Sequence, residues 1–168
     1  MPVLHILRHA KSSWDEPAPD DRLRPLASRG IRNAQRMAGH LEQAGVRPDL
    51  VLCSSALRTR QTLELVRPAL GDPGTLTEDG LYAASAGDLL DRLRKLPAAV
   101  GSAMLIGHNP GLQELVLLLA TDSPELGVIE VKFPTCALAT LDSGAAGWAE
   151  LGPESARLTG YTTPRSLD

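Results

Sequence analysis

Two histidines and two arginines stand where apolar, strand-like runs of this sequence end. Arg8 and His9 follow Val-Leu-His-Ile-Leu, His108 follows Ala-Met-Leu-Ile-Gly, and Arg58 comes shortly after Val-Leu-Cys. In open α/β sheets, ligands bind beyond the carboxyl ends of the strands. A neutral imidazole can attack phosphorus, and guanidinium groups offer forked donors to phosphate oxygens. These residue types therefore indicate a phosphoryl-transfer site that needs no metal ion.

Within such a site His9 is the candidate nucleophile, provided that one ring nitrogen faces the phosphate and the other donates to a carbonyl or carboxylate. Arg8 and Arg58 would hold the non-bridging oxygens. His108, if it is cationic, would add a third positive group. A helix starting at Pro110 would direct its first amide groups towards the same anion.

A metal site is the rival use of His9 and His108. No HxH, HExxH or clustered carboxylate spacing accompanies them, and an arginine directly before His9 would repel a cation. We therefore expect no metal and no cofactor. His5 is expected to be a residue of the sheet, and His40 a polar position on a helix.

Length and composition restrict the class of protein. The chain has 168 residues, enough for one domain over 1–168, and its net charge of −3 argues against general affinity for nucleic acid. The longest strongly apolar run, Leu115 to Ala120, is too short to cross a membrane. The first residues lack the pattern of a signal peptide, so a cytoplasmic protein is expected. Cys53 and Cys136 lie in apolar runs and are predicted to be buried free thiols.

Hydrophobic periodicity and capping signals predict the elements that position these residues. Strands are predicted over 3–8, 50–53, 75–78 and 103–106. One helix is predicted over 28–44, and a second begins after Ser54 or Ser55 as its N-cap. A third helix begins at the capping box Ser85–Asp88, and a fourth is predicted over 110–121 with Asn109 as its N-cap. A hairpin is predicted from 136–142 and 147–151, around Ser143-Gly144, with the tail after Gly152 on the surface. Alternating strands and helices predict a three-layer α/β/α fold around a mostly parallel sheet.

Three ordered motifs give this sequence a specific resemblance. Arg8-His9-Ala10-Lys11-Ser12-Ser13-Trp14 resembles the signature loop of the histidine phosphatase superfamily, also called phosphoglycerate-mutase-like. Ser54 to Thr62 resembles the second block of that superfamily, and Gly107-His108-Asn109 resembles the third. Ala10 and Lys11 depart from the usual glycine and acid or amide. Both departures resemble the short SixA-type branch, the phosphohistidine phosphatases, as does Arg24-Pro25-Leu26.

The resemblance implies that His9 is the phosphorylated nucleophile, that Arg8, Arg58 and His108 hold the phosphoryl group, and that Ser12 and Asp15 lie beside the rim of the site. It leaves the general acid open. Glu78, with Asp79 as its neighbour, lies in the stretch where mutases of the superfamily carry a glutamate. Asp21 is an equal alternative, because it could reach the site from the first loop.

These expectations favour a metal-independent phosphatase with a phosphohistidine intermediate on His9, acting on phosphohistidine of a protein. An ambiguous acid suits a P–N substrate, because imidazole leaves more easily than an alkoxide. The short stretch from Arg58 to His108 leaves little chain for a lid over a small metabolite. The alternatives are a phosphatase of small phosphomonoesters, less favourably a mutase, and a phospho-ligand binding module without turnover. Neither a nucleic-acid nor a membrane partner is expected.

Overall fold

Six strands form the central sheet of the computed structural model, which describes residues 1–15 and 20–168. The strands are β1 (Val3–Arg8), β2 (Leu50–Ser54), β3 (Gly74–Glu78), β4 (Ser102–Gly107), β5 (Leu138–Ser143) and β6 (Ala156–Thr162). Their order across the sheet is β3-β2-β4-β1-β5-β6. The first four in this order are mutually parallel, and β5 and β6 pair antiparallel. The predicted mostly parallel sheet is confirmed.

Helices cover both faces of the sheet. They are α1 (Ser28–Gln43), α2 (Leu57–Val66), α3 (Ala86–Arg94), α4 (Gly111–Leu119) and α5 (Leu126–Val131). Because side chains alternate along a strand, Leu4 and Ile6 of β1 pack in the core beneath α3 and α4, while Leu7 packs in the core beneath α1 and α2. Burial on both faces explains why β1, β2 and β4 are continuous apolar runs. The three-layer prediction is confirmed.

Two predicted helix caps are wrong. The N-cap of α2 is Ala56 rather than Ser54 or Ser55, and the Ser54 hydroxyl instead lies 2.7 Å from Nε2 of His108, at the end of the neighbouring strand β4. The helix α4 begins at Gly111 with Pro110 at the N-cap, one residue later than predicted. The Asn109 side chain still accepts a hydrogen bond from a backbone amide of the first turn. The capping box Ser85–Asp88 of α3 is confirmed.

The predicted hairpin is wrong in its second strand. β5 pairs with β6 rather than with residues 147–151, where Trp148 to Glu150 form a 3-10 turn. Trp148 is buried in the core, and its indole Nε1 donates to the Val100 carbonyl at 2.6 Å. The turn therefore lies against the core and does not pair in the sheet. The tail after Gly152 lies largely at the surface, as expected, but it includes the edge strand β6, which was not predicted.

The histidines and cysteines that were predicted to lie outside the site are found where they were expected. His5 is buried in β1 with Nδ1 3.0 Å from Thr140 Oγ1, and His40 lies on α1. Cys53 and Cys136 are buried free thiols, as predicted. Over residues 1–15 and 20–168, the helices lack the length and apolar character that spanning a membrane requires.

The start of α1 packs directly against the backbone of the loop that follows β1. The Ala27 amide donates to the Lys11 carbonyl at 2.9 Å. A Cβ at Gly30 would lie 2.1 Å from that same carbonyl oxygen, which is closer than any side chain can approach. Gly39, on the same helix, is exposed, and a Cβ there would meet no atom within 4 Å.

We expect Gly30→Ala to destabilise the protein, by about 1–3 kcal/mol, because the methyl group must displace the loop or the helix. Gly39→Ala is the matched control and should stabilise the protein, by about 0.5–1 kcal/mol, through helix propensity. Urea unfolding of both variants measures the two free energies. Equal stability of the two variants would contradict this account of the helix–loop contact.

Candidate active site

The carboxyl ends of β1, β2 and β4 bring the predicted residues together. The backbone amide of His9 donates to the Gly107 carbonyl at 3.1 Å, which ties the end of β1 to the end of β4. The rings of His9 and His108 face each other with their centroids 5.3 Å apart. Arg58 reaches the same place from the first turn of α2, and all three side chains are buried.

The tautomer of His9 follows from its hydrogen bond. Its Nδ1 lies 2.7 Å from the Ala10 carbonyl oxygen, which can only accept, so Nδ1 carries the proton. The lone pair of the ring is then on Nε2, as the proposed attack on phosphorus requires. The Ala10 amide donates to Thr62 Oγ1 at 3.0 Å, and Thr62 Oγ1 donates to the Arg58 carbonyl at 2.8 Å. The turn that orients His9 is thus anchored on α2.

The His9 ring is neutral at physiological pH. Burial lowers its pKa to about 3, against an opposing effect of the Ala10 carbonyl, and the nearby His108, Arg58 and Arg8 add to the decrease. A neutral imidazole keeps its lone pair available. The environment therefore maintains the nucleophilic form of the ring in the absence of any ligand.

The His108 ring lies between the Ser54 hydroxyl and the centre of the cluster. Its Nε2 is 2.7 Å from Ser54 Oγ, and its buried Nδ1 has no hydrogen-bond partner among the residues that the structure describes. Burial, followed by the charge of Arg58, lowers its pKa to about 4. The ring is therefore neutral in the unliganded protein, and a cationic His108 stays a prediction for the site with an anion bound. A bound anion would raise this pKa.

The two arginines are held by carbonyl oxygens while part of each guanidinium lacks a partner. Arg8 Nη1 donates to the Phe133 carbonyl at 3.1 Å, and Arg58 Nη1 donates to the Asp21 carbonyl at 2.8 Å. The Nε of each is buried without a hydrogen-bond partner in the described part of the chain. Burial and the charge of Arg58 lower the pKa of Arg8. An anion between the two guanidinium groups would satisfy these donors and offset their repulsion.

Of the three candidate acids, Asp21 is the one in contact with the cluster. Its carboxylate accepts from Arg58 Nη2 at 2.9 Å, from the Tyr82 hydroxyl at 2.6 Å and from Arg24. These bonds, that of Tyr82 first, lower its pKa to about 2. Glu78 is instead held by two hydrogen bonds from Arg92 on α3, which lower its pKa.

The rest of the predicted set lies around the cluster. Asp79 and Asp15 are exposed side chains, and in the described part of the structure neither carboxylate is hydrogen-bonded to Arg8, His9, Arg58 or His108. Ser12 is buried and accepts a hydrogen bond from Arg24, so it supports the loop rather than lining its exposed edge. Arg24 also stacks on the exposed ring of Trp14, with 3.7 Å between its guanidinium carbon and the ring centroid.

Tyr82 is the residue of the site that the sequence analysis missed. Its ring meets His108 edge-on with a centroid distance of 5.4 Å, and its hydroxyl bonds Asp21. The available signal was its position: it follows β3, whose carboxyl end lies at the same edge of the sheet as the motifs.

Comparison with known proteins agrees with this geometry. Residues 4–104 match the model of the histidine phosphatase superfamily, branch 1. The chain is 36% identical over 163 residues to an uncharacterized protein of Mycobacterium tuberculosis, covering 95% of this chain and 100% of that one. It is 32% identical over 153 residues to the phosphohistidine phosphatase SixA of Escherichia coli, covering 84% of this chain and 87% of SixA.

Solved structures show the same relation. A putative phosphohistidine phosphatase SixA from Nakamurella multipartitia superposes with a TM-score of 0.83 at 27% identity, covering 97% of this chain and 96% of that one. The protein histidine phosphatase SixA in complex with tungstate gives a TM-score of 0.80 at 27% identity, covering 99% of each chain. A phosphoserine phosphatase from Entamoeba histolytica, at 14% identity and a TM-score of 0.66 over the full length of both chains, shares the fold. The match of residues 4–104 to the family model and the similarity to SixA proteins show that the chain belongs to the histidine phosphatase superfamily and is a hydrolase of the phosphatase type.

Proposed function

We propose that this protein hydrolyses phosphohistidine on a protein, without a metal ion, through a covalent phosphohistidine on His9. The observation that carries the proposal is the hydrogen bond from His9 Nδ1 to the Ala10 carbonyl, which leaves the lone pair on Nε2 of a buried ring that lies near the guanidinium groups of Arg8 and Arg58. The similarity to phosphohistidine phosphatases over most of the chain supports the choice of substrate class.

The reaction proceeds in two displacements. His9 Nε2 attacks phosphorus, and the P–N bond of the substrate breaks with its electron pair going to the leaving imidazole. Arg8 and Arg58 hold the non-bridging oxygens during the transfer, and His108 lies beside them. A water molecule then attacks phosphorus and gives its proton to the departing phosphate. The electron pair of the P–N bond returns to Nε2, which restores His9.

The ionisation and hydrogen bonding of Asp21 and Glu78 support a substrate whose leaving group is a nitrogen atom. A substrate imidazole whose second nitrogen is protonated leaves as a neutral ring, whereas an alkoxide needs a proton in the transition state, worth roughly 10²–10⁴-fold in rate. Asp21, with a pKa of about 2, is ionised and bonded to Arg58. We infer that Asp21 positions Arg58 and that Glu78 takes no part in P–N hydrolysis.

His9→Ala is expected to lower phosphate release from a histidine-phosphorylated protein by at least about 10³-fold, because it removes the proposed nucleophile. The assay is run in EDTA, and the wild-type rate should not change on chelation. His40→Ala, a histidine on α1 outside the site, is the matched control. Wild-type turnover by folded His9→Ala would refute the covalent intermediate.

Oxyanions such as vanadate, tungstate and phosphate should bind the free pocket, because they supply the partners that Arg8 and Arg58 lack. Inhibition should be competitive, and an oxyanion at 100 times its Kd should stabilise the protein by about 2.7 kcal/mol. Arg58→Ala should abolish both effects. Arg92→Ala, which removes an arginine paired with Glu78 outside the pocket, should retain both. Thermal unfolding with and without tungstate makes the comparison.

The two acids are separated by matched amide variants. Asp21→Asn should lower kcat/KM for phosphohistidine by about tenfold, because a charged hydrogen bond to Arg58 is weakened. Glu78→Gln should leave kcat/KM within about twofold of wild type. Steady-state kinetics on one histidine-phosphorylated protein measures both. A larger loss for Glu78→Gln than for Asp21→Asn would make Glu78 the acid.

A further inference from the structure

A groove of basic side chains opens beside the catalytic pocket. It encloses about 490 Å³, and Arg8 lines it as well as the phosphate site. Four further cations come from separate segments: Lys11 after β1, Arg29 in the first turn of α1, Lys132 after α5, and Arg165 in the C-terminal turn. The remaining lining residues are neutral. The groove is therefore cationic throughout, although the whole chain has a net charge of −3.

These cations have no ion-pair partner among the residues that the structure describes. In residues 1–15 and 20–168, the arginines that form ion pairs are Arg24, Arg36, Arg58, Arg67, Arg92 and Arg94. None of the five cations of the groove lies within ion-pair distance of a carboxylate in that part of the chain. Like charges that line one groove repel each other and focus a positive potential, which attracts an anionic ligand.

An apolar patch continues the groove on the side of α5. A second shallow cavity, of about 490 Å³, shares Lys132 with the groove and is lined by Val128 and Val131. The side chain of Val131 is 85% exposed and that of Val128 is 60% exposed. Exposed valines beside a charged groove favour a protein surface over a free polyanion, because a polyanion gains nothing from apolar contact.

We propose that this groove and its apolar patch form one docking surface, which binds an acidic, amphipathic segment next to the phosphohistidine of the substrate protein. The proposal rests on the proposed function, since Arg8 connects the docking surface to the phosphoryl group in the pocket. Carboxylates of the segment lie along Lys11, Arg29, Lys132 and Arg165. Its apolar side chains cover Val128 and Val131.

Three synthetic phosphohistidine peptides of one length test the proposal. The first has glutamate and leucine flanking the phosphohistidine, the second glutamine and leucine, and the third glutamate and serine. Free phosphohistidine is the fourth substrate, because it reaches the pocket without touching the docking surface. For the wild type we expect kcat/KM on the first peptide to exceed that on the second by about tenfold, with the excess falling as salt is added.

Two variants remove the two parts of the surface. Lys132→Ala with Arg165→Ala should erase the preference for the first peptide over the second, through KM. Val128→Ser with Val131→Ser should erase the preference for the first peptide over the third. Both should hydrolyse free phosphohistidine within about twofold of wild type. Lys95→Ala with Arg157→Ala, which remove the same charges outside the docking surface, should behave as wild type on all four substrates.

The outcomes separate the two proposals. If the wild type hydrolyses all four substrates without preference, or if the charge variant behaves as its control, the docking surface is refuted and the proposed function stands. If only the charge variant has an effect, the apolar patch is not part of the docking surface, and the proposal of an amphipathic segment is refuted. If the wild type releases phosphate from no substrate, the proposed function fails, and the docking surface fails with it.

Discussion

The hydrogen bond between His9 Nδ1 and the Ala10 carbonyl is the interaction on which the site depends. It sets the tautomer of the ring and leaves the lone pair on Nε2. The carbonyl is held in place because the Ala10 amide is bonded to Thr62 on α2. The next carbonyl, that of Lys11, is held at the start of α1, where Gly30 permits the close approach. The turn that follows His9 is thus held by α1 and α2, at the point where the ends of β1 and β4 meet.

Around this turn the fold concentrates positive charge without a ligand. Arg8 and Arg58 are close enough for the charge of Arg58 to lower the pKa of Arg8, and both histidines remain neutral in response to burial and these cations. Asp21 offsets part of the charge through Arg58. Burying like charges is unfavourable, and an anion relieves the cost in proportion to its own charge. The same repulsion between buried cations that disfavours the unliganded site would therefore favour a bound anion.

Elements with a strong local signal could be predicted from the sequence. The strands β1, β2 and β4 were predicted because burial on both faces makes them nearly unbroken apolar runs. The helices α1 and α3 were predicted because each has an apolar face and a terminating residue or capping box. The strand β6 was missed because an edge strand with exposed residues has no such run. The helix α5 was missed because six residues are too few to show a helical period.

The sequence by itself determined the family of the protein and the four residues that meet at the strand ends, because motif order and strand direction are local properties. Only the tertiary structure decided that Asp21 rather than Glu78 touches Arg58, that Tyr82 joins them, and that His108 is neutral. It also decided that cations from four distant segments line one groove. The physical reason is that the partner of a charge and the pKa of a buried group depend on distances in space and on exclusion of water, which residue spacing does not specify.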